Sequence, residues 1–483
     1  MIDRNKIIKA VLWSFIGIAG RQGIVFLVSI FLARILNPDQ FGLIAMITVF
    51  SNFGQLLLNF GFSQAVIQHS NISQEDLSTI FFFNISMGLA MCGLLYGASV
   101  PIAHFYNQPP LINLTRFISL IFIFNAFSII QRTLLLKNIE LKSETTIIIL
   151  ASLISGIIAI LLAFNGFGVW ALAIKIVSQS LLESLFFWLM NDWRPSWIFK
   201  FASLKKLFRF AANMFGAGIF NSLTVNVDNL IIGRLFTASQ LGYFERSKNY
   251  NSLMQANLGA VFSKVTLPAL SNLQNNSEKF LDYYRKMIRM VAWTVVPLFL
   301  LFIIIAKPLV VLLITEKWLP SVVLLQILAA SGFIHPISAI IVNAIAAKGR
   351  ADIFFKLDIL KTILYIIGIL VGSMWGIIGI AVAISLVAFI GFYINIQQLS
   401  KLLHLSLLKQ LSDIILPVIL GIAMFISLLI TQKLSDLNMI NQLIILPLSG
   451  ITFYLVMNYI FNRNMLFEMK RLAFELSTHV RFV

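Results

Sequence analysis

The sequence predicts an all-α polytopic membrane protein of about 14 transmembrane helices, and three observations lead there. Of 483 residues, 59% are apolar and 11% charged, with a mean hydropathy of +0.92. A soluble domain carries about 25% charged residues to keep its surface wet, so a water-soluble enzyme is excluded. The apolar residues also come in runs that match the roughly 20 residues a helix needs to cross a bilayer. Finally, lysines and arginines gather on alternate loops, which explains the net charge of +17 without invoking nucleic acid. A secreted disulfide framework is excluded as well, because the single cysteine, Cys92, lies inside an apolar run.

The first element follows a basic start, with Arg4, Lys6 and Lys9 leading into an apolar stretch of more than 20 residues. That is too long for a signal-peptide core and no small-residue cleavage site follows, so a retained helix is expected. The spans then run 10–33, 41–67, 79–104, 112–132, 145–165, 167–190, 208–233, 241–270, 288–314, 319–347, 355–373, 376–398, 412–431 and 440–461. With the N-terminus inside, 24 of the 36 Lys and Arg fall on cytoplasmic segments, 5 on outer loops and 7 within spans. This bias predicts both termini in the cytoplasm and an even number of helices. In the loop over 191–207, Trp193, Trp197, Phe199 and Phe201 alternate with Arg194, Lys200, Lys205 and Lys206. Such a mixture suits a segment lying in the headgroup layer.

An internal repeat organises the spans. Residues 33–43 and 233–243 share Arg34 with Arg234, Gln40 with Gln240, and Gly42 with Gly242, all at an offset of 200. Each stretch is the outer turn after the first span of a half, so the halves run in the same sense. Two six-helix lobes are expected, over 1–207 and 208–400, with two C-terminal helices and a basic tail over 401–483. Parallel repeats of this kind are a transporter device.

Ionisable groups within spans cost several kcal/mol each and line a cavity or pair with one another. In the span over 241–270, Arg246, Asn249, Asn257 and Lys264 step by three, eight and seven residues, a spacing that predicts one helical face. Glu245, Lys248, Ser252 and Gln255 form an adjoining stripe. The span over 208–233 places Asn213, Asn221, Thr224 and Asp228 along one side, with Asn226 and Asn229 nearby, and the first span adds Ser14, Arg21 and Gln22. Seven embedded basic residues face four acids, Glu183, Asp228, Glu245 and Asp358. A net-positive cavity would attract an anion such as a diphosphate, with Arg21, Arg246 and Lys248, then Arg116, Lys175 and Lys264, as its cations and Asn249 and Asn257 beside them. The bland alternative is structural pairing at a spacing of three, Glu245 with Lys248 and Asp358 with Lys361. Asp228 and Glu245 are the acids suited to ion coupling.

No Gly-x-x-x-x-Gly-Lys-Ser/Thr motif signals an ATPase. The five histidines, His69, His104, His335, His404 and His479, show no metal-ligand spacing, so no metal and no cofactor is expected. His335-Pro336 is read as a kink.

The run Phe41-Gly42-Leu43 through Leu58-Asn59-Phe60-Gly61-Phe62-Ser63-Gln64-Ala65-Val66-Ile67-Gln68 resembles the first two helices of Wzx-type polysaccharide flippases. These belong to the multidrug/oligosaccharidyl-lipid/polysaccharide exporter superfamily. Gly168-Val169-Trp170-Ala171-Leu172, Val227-Asp228-Asn229-Leu230-Ile231-Ile232-Gly233, Leu267-Pro268-Ala269-Leu270-Ser271, Glu316-Lys317-Trp318-Leu319-Pro320, Ala347-Lys348-Gly349-Arg350 and Gly376-Ile377-Ile378-Gly379-Ile380-Ala381 continue the match in order. It looks closest to the lipopolysaccharide and colanic-acid exporter branch. The resemblance implies a bacterial inner-membrane protein of two lobes around a central cavity. It also implies translocation of an undecaprenyl-diphosphate-linked oligosaccharide by alternating access, without direct use of ATP. Coupling to a proton or sodium gradient and contact with other polysaccharide-assembly membrane proteins belong to the same expectation. Related flippases line the cavity with arginines on their first and eighth helices, where Arg21 and Arg246 lie here. Two rivals remain open: a multidrug or cation antiporter of the same architecture, and a membrane polymerase or glycosyltransferase. The first would show an acid-rich cavity; the second calls for a large outer loop, and none here exceeds about a dozen residues.

Overall fold

The computed structural model describes residues 4–69, 71–435 and 437–468, without side chains at 4–12, 14–16, 18, 19, 213, 214, 217–221, 223, 351, 354 and 355. Ser14, Asn213, Asn221, His479 and the basic residues of the tail beyond 468 therefore lie outside it. The described chain is helical throughout. It begins with α1 (Arg4–Ile35), α2 (Pro38–Asn59), α3 (Phe62–Gln68), α4 (Gln74–Gly97), α5 (Ser99–Tyr106) and α6 (Leu111–Ile118). Next come α7 (Ile121–Lys137), α8 (Leu141–Phe164), α9 (Val169–Met190), α10 (Phe201–Leu235), α11 (Ala238–Asn272) and α12 (Ser277–Ile314). The remainder forms α13 (Leu319–Gly332), α14 (Ile334–Ala347), α15 (Ala351–Gly372), α16 (Gly376–Leu403), α17 (Leu407–Leu434) and α18 (Met439–Phe461).

Every predicted span falls on one helix or on two consecutive ones. Ten described stretches are long and apolar enough to cross a bilayer, one of them, Lys356–Leu403, running through two of the spans. The 35-residue α11 is long enough but too polar to be among them. Exposed apolar side chains recur at helical spacing, as at Ile415, Ile419, Ile422 and Ile426 on α17. On a water-soluble protein such a stripe would be an aggregation site; in a bilayer it meets lipid.

The helices differ from the spans where hydropathy is blind. Hydropathy marks the hydrocarbon layer, not where the backbone stops being helical, so α10 starts at Phe201 rather than 208 and takes in the end of the predicted interfacial loop. The span over 41–67 is broken at Phe60 and Gly61, which both take left-handed backbone, at φ 35° and 76°. Breaks also fall at Ala98 and at Ser119–Leu120. The predicted kink in the tenth span is a break at Phe333, with Pro336 in the first turn of α14, where its missing N–H costs nothing.

The chain divides into two compact units, Met1–Gly242 and Tyr243–Val483. In the first, α1 packs on α8, α8 on α9, α4 on α7, and α10 on α2, α3 and α4. This boundary lies one helix beyond the point at which the repeat divides the sequence. In the second unit, α12 is the hub, packed by α13, α14, α17 and α18, while α16 joins α13, α14 and α15.

The three residues matched at an offset of 200 do matching structural work. Gln40 accepts from the Asn37 N–H at 3.2 Å and Gln240 from the Thr237 N–H at 3.1 Å, so both cap the start of a helix. Arg34 and Arg234 both stand in the last turn of the preceding helix. Gly42 and Gly242 lie at one crossing. A Cβ on Gly42 would strike the Ala238 carbonyl and a Cβ on Gly242 the Pro38 carbonyl. The contact is reciprocal, since Pro38 and Ala238 are themselves 200 apart.

Candidate functional site

In the first unit, Arg21 lies exposed on α1 beside half-buried Gln22. The polar residues of α10 turn the other way. Asn226 is buried and accepts from Asn52 Nδ2 of α2 at 2.8 Å, while donating to the Ser222 carbonyl at 2.8 Å. Asp228 is fully buried, and one carboxylate oxygen accepts from the Asn229 N–H at 2.9 Å. Asn229 Oδ1 is buried with no hydrogen-bond partner among the described residues. The α2–α10 contact therefore holds a polar seam that is buried on the α10 side. Asn52 is one of several amides in its span, with Gln55 and Asn59, and its partner on α10 was out of reach of any local pattern.

Arg116 and Lys175 do not stand together with Arg21. Arg116 donates to Ser99 Oγ at 3.1 Å and lies 4.9 Å from the centroid of the Tyr96 ring, so it braces the α5–α6 corner. Lys175 is half-buried on α9.

In the second unit the expected single face of α11 divides in two. Asn249, Ser252, Asn257 and Lys264 are exposed. Arg246, which a helical wheel puts in line with Lys264, is only 6% exposed. Its guanidinium lies 5.1 Å from the Trp318 ring centroid and 5.7 Å from that of Tyr250. The cause is local: the turn Glu316–Trp318 between α12 and α13 covers the N-terminal part of α11, where Ser247 Oγ donates to the Ser321 carbonyl at 2.8 Å. Beyond it the same line of α11 is uncovered. Asn249 Nδ2 donates to Glu245 Oε1 at 3.2 Å, whereas Glu245 Oε2 is buried without a hydrogen-bond partner among the described residues. Lys248 is half-buried. The expected pair Asp358–Lys361 does form, at 3.5 Å.

Asp413, in the first turn of the span over 412–431, adds a fifth embedded acid. It is 5% exposed and receives a two-pronged bond from Arg285, at 2.7 and 2.9 Å, and a third from Arg289 at 3.2 Å. Tyr284 donates to Gln410 at 2.8 Å, and Trp293 Nε1 to Asn458 Oδ1 at 2.8 Å. The C-terminal helices α17 and α18 are thus fastened to α12 by polar bonds as well as apolar packing. Among the described residues, no group of three or more His, Cys, Asp or Glu is placed to hold a metal.

The loop over 191–200 is clamped to the start of α4: Trp193 Nε1 donates to Gln74 Oε1 at 2.7 Å and Ser196 N–H to Ser78 Oγ at 3.0 Å. Lys206 of α10 bonds Asp76 at 3.0 Å. Trp197 is 93% exposed beside Phe199 and Phe201, an aromatic row on a basic segment.

The chain is similar in fold to the lipid II flippase MurJ in an inward closed conformation. The TM-score is 0.77 at 16% identity, over 94% of this chain and 100% of that one. In sequence it is 27% identical over 394 residues to the lipopolysaccharide biosynthesis protein WzxC of Escherichia coli (strain K12), covering 80% of this chain and 79% of that protein. It is 25% identical over 379 residues to the teichuronic acid biosynthesis protein TuaB of Bacillus subtilis (strain 168), covering 77% and 78%. The family described as polysaccharide biosynthesis protein matches residues 31–323, from the end of α1 into α13. This polytopic helical membrane protein belongs to that polysaccharide biosynthesis family.

Proposed function

We propose that the protein is a flippase that carries an undecaprenyl-diphosphate-linked oligosaccharide repeat unit from the cytoplasmic to the periplasmic leaflet of the bacterial inner membrane. The observation that carries this reading is the uncovered polar face of α11, with Asn249, Ser252, Asn257 and Lys264 exposed on a helix too polar to sit in lipid. A sugar-diphosphate headgroup cannot cross hydrocarbon unaided, and such a face offers it donors and a cation along a path. Arg21, exposed on α1, and Lys264 are the cations suited to the diphosphate; the amides of Asn249 and Asn257 suit sugar hydroxyls. Arg246 and Arg116, held by rings and neighbours, serve as braces in this reading. Membership of a polysaccharide biosynthesis family and a fold shared with a lipid II flippase support it.

Alternating access then rests on the two halves over 1–207 and 208–400, with helices α17 and α18 moving with α12. Both termini face the cytoplasm, as the basic loops require. Transport needs no covalent step. Asp228 and Glu245 are the acids through which a proton or sodium gradient would act, and other membrane proteins of polysaccharide assembly are the expected neighbours.

The test is made in a strain lacking the gene, by isolating its lipid-linked oligosaccharide and asking which leaflet holds it. A complete repeat unit trapped on the cytoplasmic face, released when the gene is restored, is the expected result. A complete unit on the periplasmic face would make the protein a polymerase, and a truncated glycan a glycosyltransferase. No accumulation would favour the antiporter.

A further inference from the structure

A second polar feature lies wholly inside the first unit. A cavity of about 300 Å³ opens among α2, α3, α7 and α9. Four of its lining side chains are amides, Gln55, Asn59, Gln64 and Asn125, and none makes a hydrogen bond to another described residue. The Gln55 Nε2 is buried with no hydrogen-bond partner among the described residues. Glu183 contributes a carboxylate, with Oε1 taking a bond from Gln179 at 2.9 Å. Buried Phe187 supplies an apolar patch of wall.

A buried polar group left unpaired costs about 1–3 kcal/mol, and native interiors leave few of them. The buried, unpaired amide nitrogen of Gln55, with half-buried Asn125 and exposed Asn59 and Gln64 on the same lining, is therefore suited to an occupant that both donates and accepts. Each amide offers two donor hydrogens and a carbonyl acceptor, the complement of a ring of hydroxyls. The lining does not suit an anion, because its arginine, Arg132, is committed to Glu144 at 3.0 Å. Nor does it suit a divalent cation, since Glu183 is the one carboxylate in the wall. The volume equals that of about ten waters, room for a single sugar ring.

The cavity's place adds to the argument. It sits where α3, α7 and α9 approach the segments over 71–73, 138–140 and 191–200, the end of the first unit that carries Lys137, Lys142, Arg194 and Lys200. Under the positive-inside reading this is the cytoplasmic end, where a lipid-linked glycan would be offered for transport. We propose that this cavity binds one neutral sugar residue of the lipid-linked oligosaccharide and so selects which glycan is carried. The proposal rests on the flippase reading.

It is tested by thiol protection in the full-length protein. In a Cys92→Ser background, Gln55→Cys and Asn125→Cys each place a single thiol on a different wall of the cavity. Labelling by a membrane-permeant maleimide is timed in cells that make the lipid-linked oligosaccharide, and in cells lacking the transferase that starts it. Both thiols are expected to react several-fold more slowly when the glycan is present. Equal rates in the two strains at either position overturn the cavity as a sugar site. The Cys92→Ser parent is assayed beside them for the leaflet in which the glycan accumulates. Failure of the parent to move it would sink the flippase reading itself, a result separate from the labelling.

Discussion

Arg246, Arg21 and Lys264 are all embedded cations in sequence, yet only the first is enclosed by rings. Each cation–π contact is worth about 0.5–2 kcal/mol. Arg246→Ala is thus expected to lower the stability of the purified protein by about 1–3 kcal/mol, read as an earlier thermal unfolding in detergent. Lys264→Ala leaves stability within about 0.5 kcal/mol. Transport should show the reverse weighting. Arg21→Ala and Lys264→Ala each remove a charge-assisted bond of about 1.5–3 kcal/mol to the diphosphate, so leaflet export falls about tenfold or more while membrane levels hold. Equal export by the double variant would remove these residues from the path. Outside the spans, Arg350 donates twice to Asp352, at 2.9 Å each, and those bonds hold the Asp352 carboxyl down to about 2 from 3.8. A depressed carboxylate contributes stability above its unfolded value and loses it only as pH falls toward 2. Asp352→Asn is therefore expected to leave the pH profile of transport between about 5 and 8 unchanged.

Elements extend this logic to pairs of residues. The Asp413 carboxylate is buried and holds two arginines from α12, and breaking such a pair leaves buried charge uncompensated. Asp413→Ala should cost about 2–4 kcal/mol, toward the lower figure because both arginines are partly exposed, and should loosen α17 from α12, seen as faster backbone hydrogen exchange in α17. The crossing at Gly42 and Gly242 makes a different prediction. Gly42→Ala and Gly242→Ala each push a Cβ into a backbone carbonyl, and overpacking costs about 1–3 kcal/mol. Because both relieve themselves by the same separation of helices, the double substitution should cost less than the sum of the two. Additive losses in thermal unfolding would show that the two sites respond independently.

At the scale of the molecule, the helical membrane fold was legible because a bilayer imposes its own ruler. Runs near 20 apolar residues fall on helices throughout, and ten described stretches are long and apolar enough to cross a bilayer. What hydropathy missed were the breaks at Phe60–Gly61, Ala98 and Ser119–Leu120, since a left-handed or capped residue changes the backbone without changing the polarity. The candidate site was legible only by residue type. The sequence put Arg246 in line with Lys264, but the cover that separates them is Trp318, which comes from a distant turn. Asn52 with Asn226 and Asp413 with Arg285 are likewise long-range pairs that no periodicity announces. The orientation remains a prediction of the whole chain: thiols placed at 138–140 and 348–350 should react only from the cytoplasm, and thiols at 107–110 only from outside.

The crossing at Gly42 has one more consequence. A contact that maps onto itself when 200 is added to the number on one side and taken from the number on the other has the form of an isologous interface between two copies of one chain. It is the mark that duplication and fusion of a half-sized gene would leave, with the ancestral half meeting a second copy of itself through this glycine. In such a homodimer a single substitution would have struck both sides of the crossing at once. In a chain fused in this way each side could vary alone, and this sequence carries glycine at both.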